Sequence, residues 1–304
     1  MTTGTIDTIL VATELTEESE DALRTAVNMT RSSGAAVHVL HAVKPPTLPY
    51  WEARTDAVTT QGWVHDGRRN LREQVERVMD GVEPAGQKVV LQTPFQAIVD
   101  HAKEVGASLI VLGTHRHRGV GDGLVGTTAD RVMRTAPVPC LIANGVMPSP
   151  PRRVLVPIDL SEPARGALHL VLGWLRHALD REGGEGDVVV ELLHILPREL
   201  KDMEQTARDD MEKEFQADVE HAKSDFGDLT GIDVRVEVRS APTPSEGILK
   251  AAKEKSSQLI VMGTHGYGAL GRTIIGSVAS AVARQAPSSV LLVPPSLWRE
   301  GEEA

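Results

Sequence analysis

Residues 93–115 read TPFQAIVDHAKEVGASLIVLGTH, and residues 243–265 read TPSEGILKAAKEKSSQLIVMGTH. About half of the positions are identical, with no gap, at an offset of 150. The same offset carries Gly113 to Gly263, Gly126 to Gly276 and Pro137 to Pro287. Near the start of each copy the offset is 145, where Ile9–Glu14 (ILVATE) matches Val154–Asp159 (VLVPID). A unit of that size is a whole domain, since solenoid repeats run to ~20–50 residues. The chain therefore reads as two tandem domains, 1–146 and 152–304, joined across a Pro/Gly-rich stretch at 144–151.

Working outward from the repeat, each copy alternates short apolar runs with helical patterns. In the first, strands are expected at 8–12, 37–43, 88–92, 109–112 and 138–143. Helices are expected from Thr16, a candidate N-cap before the acidic turn Glu17-Glu18-Ser19-Glu20, to Gly34, then at 63–79, 94–104 and 126–135. The second copy repeats this, with strands near 153–157, 188–196, 233–239, 258–262 and 289–293 and helices near 162–181, 199–224, 244–255 and 276–285. Apolar strands separated by helices belong to a parallel sheet covered on both faces. The expected fold class is α/β, two doubly wound five-stranded domains with strand order 3-2-1-4-5. Ligands in such sheets bind beyond the carboxyl ends of the strands, where the order reverses. The last strand of each copy, Val138–Ala143 and Ser289–Pro294, is uncharged. An exposed apolar edge invites pairing, so the two are expected to pair and form an intramolecular pseudo-dimer with Cys140 near the interface. A homodimer of the whole chain stays open.

The chain has 304 residues, 41% hydrophobic and 24% charged, which excludes disorder as a description of the whole. Aromatics are 3%, too few for stacking platforms that bind single strands. Residues 1–150 hold 14 basic and 17 acidic groups, and 151–304 hold 18 and 25. Neither half has the charge of a general nucleic-acid binder. One cysteine, Cys140, excludes an internal disulfide and a cysteine-cluster metal site; in VPCLI it reads as a buried hydrophobe. There is no signal-peptide pattern and no membrane-length apolar run, so a cytoplasmic, soluble protein without membrane attachment is expected.

The segment Gly263-Thr-His-Gly266-Tyr-Gly-Ala-Leu-Gly-Arg-Thr-Ile-Ile-Gly276-Ser277 links an apolar strand to a helix. Glycines allow close backbone approach to a ligand, and a helix start offers free N–H groups to an anion. By itself the loop is equally compatible with simple turns. Together with Asp159 at the end of its strand, it resembles the universal stress protein family, over essentially the whole chain and in two copies. Gly263, Gly266, Gly276 and Ser277 satisfy the family's Gly-x2-Gly-x9-Gly-Ser/Thr pattern.

The resemblance implies binding of ATP or a related adenine nucleotide, with Mg2+ as an optional companion, in a protein of stress response or signalling with protein clients not identified. It implies that Asp159 faces the ribose, that Pro157, Ile158 and Ile195 line the adenine slot, and that Met262, Gly263 and Gly266 wrap ribose and phosphates. Gly276, Ser277 and Val278 would hold the phosphates. His115 and His265 share one place in the two loops; His265 counts with the binding set, loop shaping being favoured over a catalytic or metal role. The first copy departs from the pattern. Glu14 stands for Asp159, and Arg116 replaces the second glycine between Gly113 and Gly126-Thr127. A weakened or lost site is expected there, Arg116 either filling the phosphate slot or pairing with a phosphate.

Other features carry blander readings. His41 and His194 end strands and are expected to be hydrogen-bonded. The basic run His115–Arg118 is short. Residues 199–228 form a solvated helix whose packed side would comprise Met203, Met211, Phe215 and Val219, and 44–62 is a long insertion. No catalytic triad, carboxylate pair or metal triad is visible. Slow ATP hydrolysis or autophosphorylation on Ser277 is the first alternative, and a nucleotide-independent adaptor the second.

Overall fold

The computed structural model describes residues 5–44, 57–114, 126–159, 161–183, 187–265 and 275–295. The first half contributes β1 (Thr8–Thr13), α1 (Glu17–Ser33), β2 (Ala36–Val43), α2 (Ala57–Val78), β3 (Gly86–Leu91), α3 (Pro94–Glu104), β4 (Leu109–Gly113), α4 (Thr127–Thr135) and β5 (Cys140–Ala143). The second contributes β6 (Arg153–Pro157), α5 (Glu162–Arg181), β7 (Val188–Pro197), α6 (Glu204–Phe226), β8 (Ile232–Ala241), α7 (Pro244–Glu254), β9 (Leu259–Gly263), α8 (Ser277–Gln285) and β10 (Ser289–Val293).

Local chemistry accounts for the element ends. Thr16 caps α1 in a capping box with Ser19, and Gly34 closes it at φ 77°, a left-handed conformation that favours glycine. In α3 and α7 a Thr-Pro pair starts the helix, proline sitting where no N–H is needed.

All ten strands form one sheet, ordered β3-β2-β1-β4-β5-β10-β9-β6-β7-β8. Each half has the order 3-2-1-4-5 with parallel neighbours. The halves meet where β5 and β10 run antiparallel, with Val290↔Ile142, Leu291↔Leu141 and Leu292↔Cys140 as partners. Pairing removes the two apolar edges that the isolated halves would expose. The outer edge β8 instead carries alternating charge at Asp233, Arg235, Glu237 and Arg239, which discourages a further strand.

Successive residues of the inner strands serve opposite faces. Ile9 and Val11 join a core with Leu23 of α1, Leu71 of α2, Leu168 of α5 and Phe215 of α6. Leu10 joins a second core with Ile98 of α3, Val132 of α4, Ile248 of α7 and Val282 of α8. Both cores run through both halves.

Side chains on both layers tie the halves together. His177 Nε2 donates to the Ser33 carbonyl at 3.1 Å, at the C-terminal end of α1. Arg284 pairs with Asp130 at 2.8 Å. The 144–151 segment is pinned rather than free. Asn144 donates to Ser289 Oγ and to the Ala286 carbonyl, at 3.1 and 3.0 Å. Met147 is buried, and its N–H donates to Thr25 Oγ1 at 3.0 Å.

Two expectations are corrected. Met203 lies in a 3-10 turn, Arg198–Met203, and is 51% exposed, so it does not belong to the packed side of α6. The turn rotates it away from the register that buries Met211 and Phe215. The end of the 44–62 insertion is helical, because α2 starts at Ala57; residues 45–56 lie outside the described ones.

Candidate functional site

The order reverses between β1 and β4 in the first half and between β6 and β9 in the second. In the first half β1 and β4 stay paired from Ile9↔Leu109 to Ala12↔Leu112. In the second, among the described residues, pairing of β6 with β9 covers Val154↔Leu259 and Leu155↔Ile260. Pro157 has no N–H to donate, so the hydrogen-bonded ladder between these two strands stops short of their carboxyl ends.

Pro157 and Ile158 are buried at the end of β6. The Ile158 N–H donates to the Leu193 carbonyl at 2.9 Å, and its own carbonyl accepts from His194 Nδ1 at 2.9 Å. His41 Nδ1 makes the same bond to the Thr13 carbonyl in the first half, also at 2.9 Å. Both strand-end histidines are thus hydrogen-bonded, as their sequence position suggested.

Asp159 is exposed beyond β6. Its Oδ1 accepts from the N–H of Ser161 at 3.1 Å and from the Ser161 hydroxyl, which holds the turn into α5. That turn brings Pro163 against Gly263, where an added Cβ would stand 2.8 Å from Pro163 Cβ. Met262 is buried beside it. His265 Nδ1 lies 2.8 Å from Thr264 Oγ1. The Gly276 N–H donates to the Thr264 carbonyl at 2.7 Å, closing the base of the loop. Gly276 has φ −58° and makes no side-chain cap, so the first N–H groups of α8, which starts at Ser277, have no side-chain cap from it. Ser277 is exposed and Val278 half-buried. Ile195 packs over Gly247, with Cδ1 2.6 Å from where a Cβ would be. Gly266 lies outside the described residues.

At the equivalent place in the first half there is a cavity of about 270 Å³. Glu14, Gly113 and Gly126 all line it, so three residues named from the sequence converge. Thr127 does not line it; its neighbour Thr128 does. Arg116, like His115 and the rest of the 115–118 run, lies outside the described residues. Ala12 and Ala42 stand in the cavity walls, at the places that Pro157 and Ile195 hold in the second half. Thr13 and Ser19 also line the cavity, their hydroxyls 2.8 Å apart, and Thr13 donates to buried Gln74 at 2.7 Å. No sequence motif pointed to Gln74, because its role depends on a contact between α2 and the end of β1.

One grouping of possible metal ligands escaped the sequence reading. His169 on α5 lies near His221 and Asp225 on α6. Only the i, i+4 spacing of His221 and Asp225 was visible along the chain.

The universal stress protein family model matches residues 5–144 and 151–294. A universal stress protein of Mycolicibacterium smegmatis is 24% identical over 94% of this chain and 97% of its own. One from Mycobacterium tuberculosis is 26% identical over 84% of this chain and 85% of its own. The crystal structure of a universal stress protein from Archaeoglobus fulgidus superposes with a TM-score of 0.71 at 20% identity, covering 97% of this chain and 99% of that one, which bears on the fold alone. Among the described residues no helix is long and apolar enough to cross a membrane. The chain belongs to the universal stress protein family, as a tandem of two such domains.

Proposed function

We propose that this tandem universal stress protein binds an adenine nucleotide, ATP first, beyond the carboxyl ends of β6 and β9, and serves in stress response or signalling. The observation that carries the reading is one convergence. The Asp159 turn seats Pro163 on Gly263 at the end of β9, and the Gly276 N–H bonds the Thr264 carbonyl, which brings the uncapped start of α8 to the same switch point. An apolar slot from Pro157, Ile158, Ile195 and Met262 suits a purine face. The Asp159 carboxylate has a second oxygen to accept from ribose hydroxyls. The N–H groups of Ser277 and Val278, with the Ser277 hydroxyl, suit phosphate oxygens.

A second reading has its own support. The first-half cavity suits a further, weaker nucleotide site using Glu14, Gly113 and Gly126, although Arg116 breaks the motif.

Calorimetric titration of ATP into the full chain tests both. Gly266→Arg is expected to abolish the tight site, and Ala42→Phe, which fills the first-half cavity, any weak one. Wild-type stoichiometry and affinity in Gly266→Arg would overturn the assignment. Saturation at ~100 times the dissociation constant adds about 2.7 kcal/mol of stability. Rapid phosphate release lost in Ser277→Ala would favour the enzyme reading instead.

A further inference from the structure

We propose that His169, His221 and Asp225 form a binding site for a divalent cation of the zinc class, which staples α6 to α5. One ligand atom from each residue lies within 4.8 Å of the others. His169 Nε2 is 3.3 Å from Asp225 Oδ2, and His221 Nε2 is 3.8 Å from the same oxygen. Ligands ~2.0–2.2 Å from a tetrahedral zinc ion stand roughly 3.3–3.6 Å apart. One edge of the tetrahedron is therefore already at its working length. The His221–Asp225 edge needs a few tenths of an ångström, and the His169–His221 edge, within 4.8 Å, closes by the same rotation of the exposed His221 side chain.

The supports are in place as well. His221 and Asp225 are four residues apart on α6 and share a face. The two imidazoles lie 5.4 Å apart between centroids, and the Phe226 ring packs on His169 at 4.6 Å, restricting its orientation. His169 approaches from the half-buried side, at 15% exposure, while Asp225 and His221 leave the site open to solvent at 44% and 62%.

The donor set selects the ion. Two imidazoles and one carboxylate suit zinc, nickel or copper, whereas calcium and magnesium prefer oxygen alone. Three protein ligands leave one tetrahedral position for water. The staple would act where packing is thin. Over its 23 residues α6 buries Met211, Phe215 and Ala222, and the adjoining seam to α5 is polar, with Arg165 held by Asp218 and Glu214.

Calorimetric titration of Zn2+ into the chelator-treated full chain tests this, in parallel with His221→Ala and the near-isosteric Asp225→Asn. Both positions are solvent-exposed, and circular dichroism checks that each variant is folded. The expected result is one Zn2+ per wild-type chain, at least ~10-fold weaker binding in each variant, and no response to Mg2+. Co2+ in place of Zn2+ should give a tetrahedral visible absorption that both variants lose. A wild-type chain that binds no Zn2+ overturns the proposal. So do variants with unchanged affinity and stoichiometry, which would assign the ion to other histidines.

Discussion

Leu292 of β10 stands opposite Cys140 of β5 across the antiparallel pair that joins the two halves. Both are almost fully buried, at 1% and 2% exposure. The seam between the domains is thus interior sheet, with its ladder continuous from one half into the other. Fully burying an aliphatic side chain contributes about 1.5–3 kcal/mol, and Leu141, Ile142, Val290 and Leu291 do so along the same few residues.

Leu292→Asp removes one such side chain and leaves a carboxylate with no water. A loss of at least about 3–5 kcal/mol is expected. Urea unfolding with a hydrodynamic measurement checks it. Unchanged stability and radius would mean that the seam does not hold the halves together in solution.

Burial pushes the Cys140 thiol up to about 12, so the thiolate that reacts with thiol reagents is scarce at neutral pH. Native protein is expected to label far more slowly than denatured protein. Leu292→Asp should speed labelling, since it opens the same seam. Fast native labelling, timed by mass spectrometry, would contradict the arrangement.

The two strand-end glycines should respond differently to alanine. At Gly263 a Cβ would meet Pro163 Cβ at 2.8 Å and Pro163 backbone atoms at 3.0 Å. The start of α5 must then shift, at a cost of about 1–3 kcal/mol, and nucleotide affinity should fall with it. At Gly113 the nearest atoms are backbone atoms of Glu18 and Ser19 at 3.5 Å, ordinary contact. Gly113→Ala should be close to neutral in thermal unfolding.

Arg134, by hydrogen bonding, and then Arg284, from the other half, hold the Asp130 carboxyl below its usual range. A depressed folded value means stability that is fully present above the ordinary carboxylate range. It is lost as pH falls through the folded value. Arg284→Ala should cost about 0.2–1 kcal/mol at neutral pH and make the acid-side loss of stability shallower. Unfolding curves from neutral pH to below the carboxylate range check both effects.

The sequence by itself determined the duplication, the alternation of strand and helix, the strand order and the pairing of the two final strands. The duplication and alternation follow from local periodicity, the crossover rule leaves few strand orders, of which the family resemblance fits 3-2-1-4-5, and the pairing follows from the cost of an apolar edge. The tertiary structure alone decided which side chains meet across elements. It brought Glu14, Gly113 and Gly126 together around one first-half cavity, with Ala12 and Ala42 in its walls. It pressed Pro163 onto Gly263, drew Gln74 to Thr13, and joined His169 of α5 to His221 and Asp225 of α6. Those meetings depend on helix packing and on side-chain volume in three dimensions, and residues far apart in sequence carry no periodic trace of either.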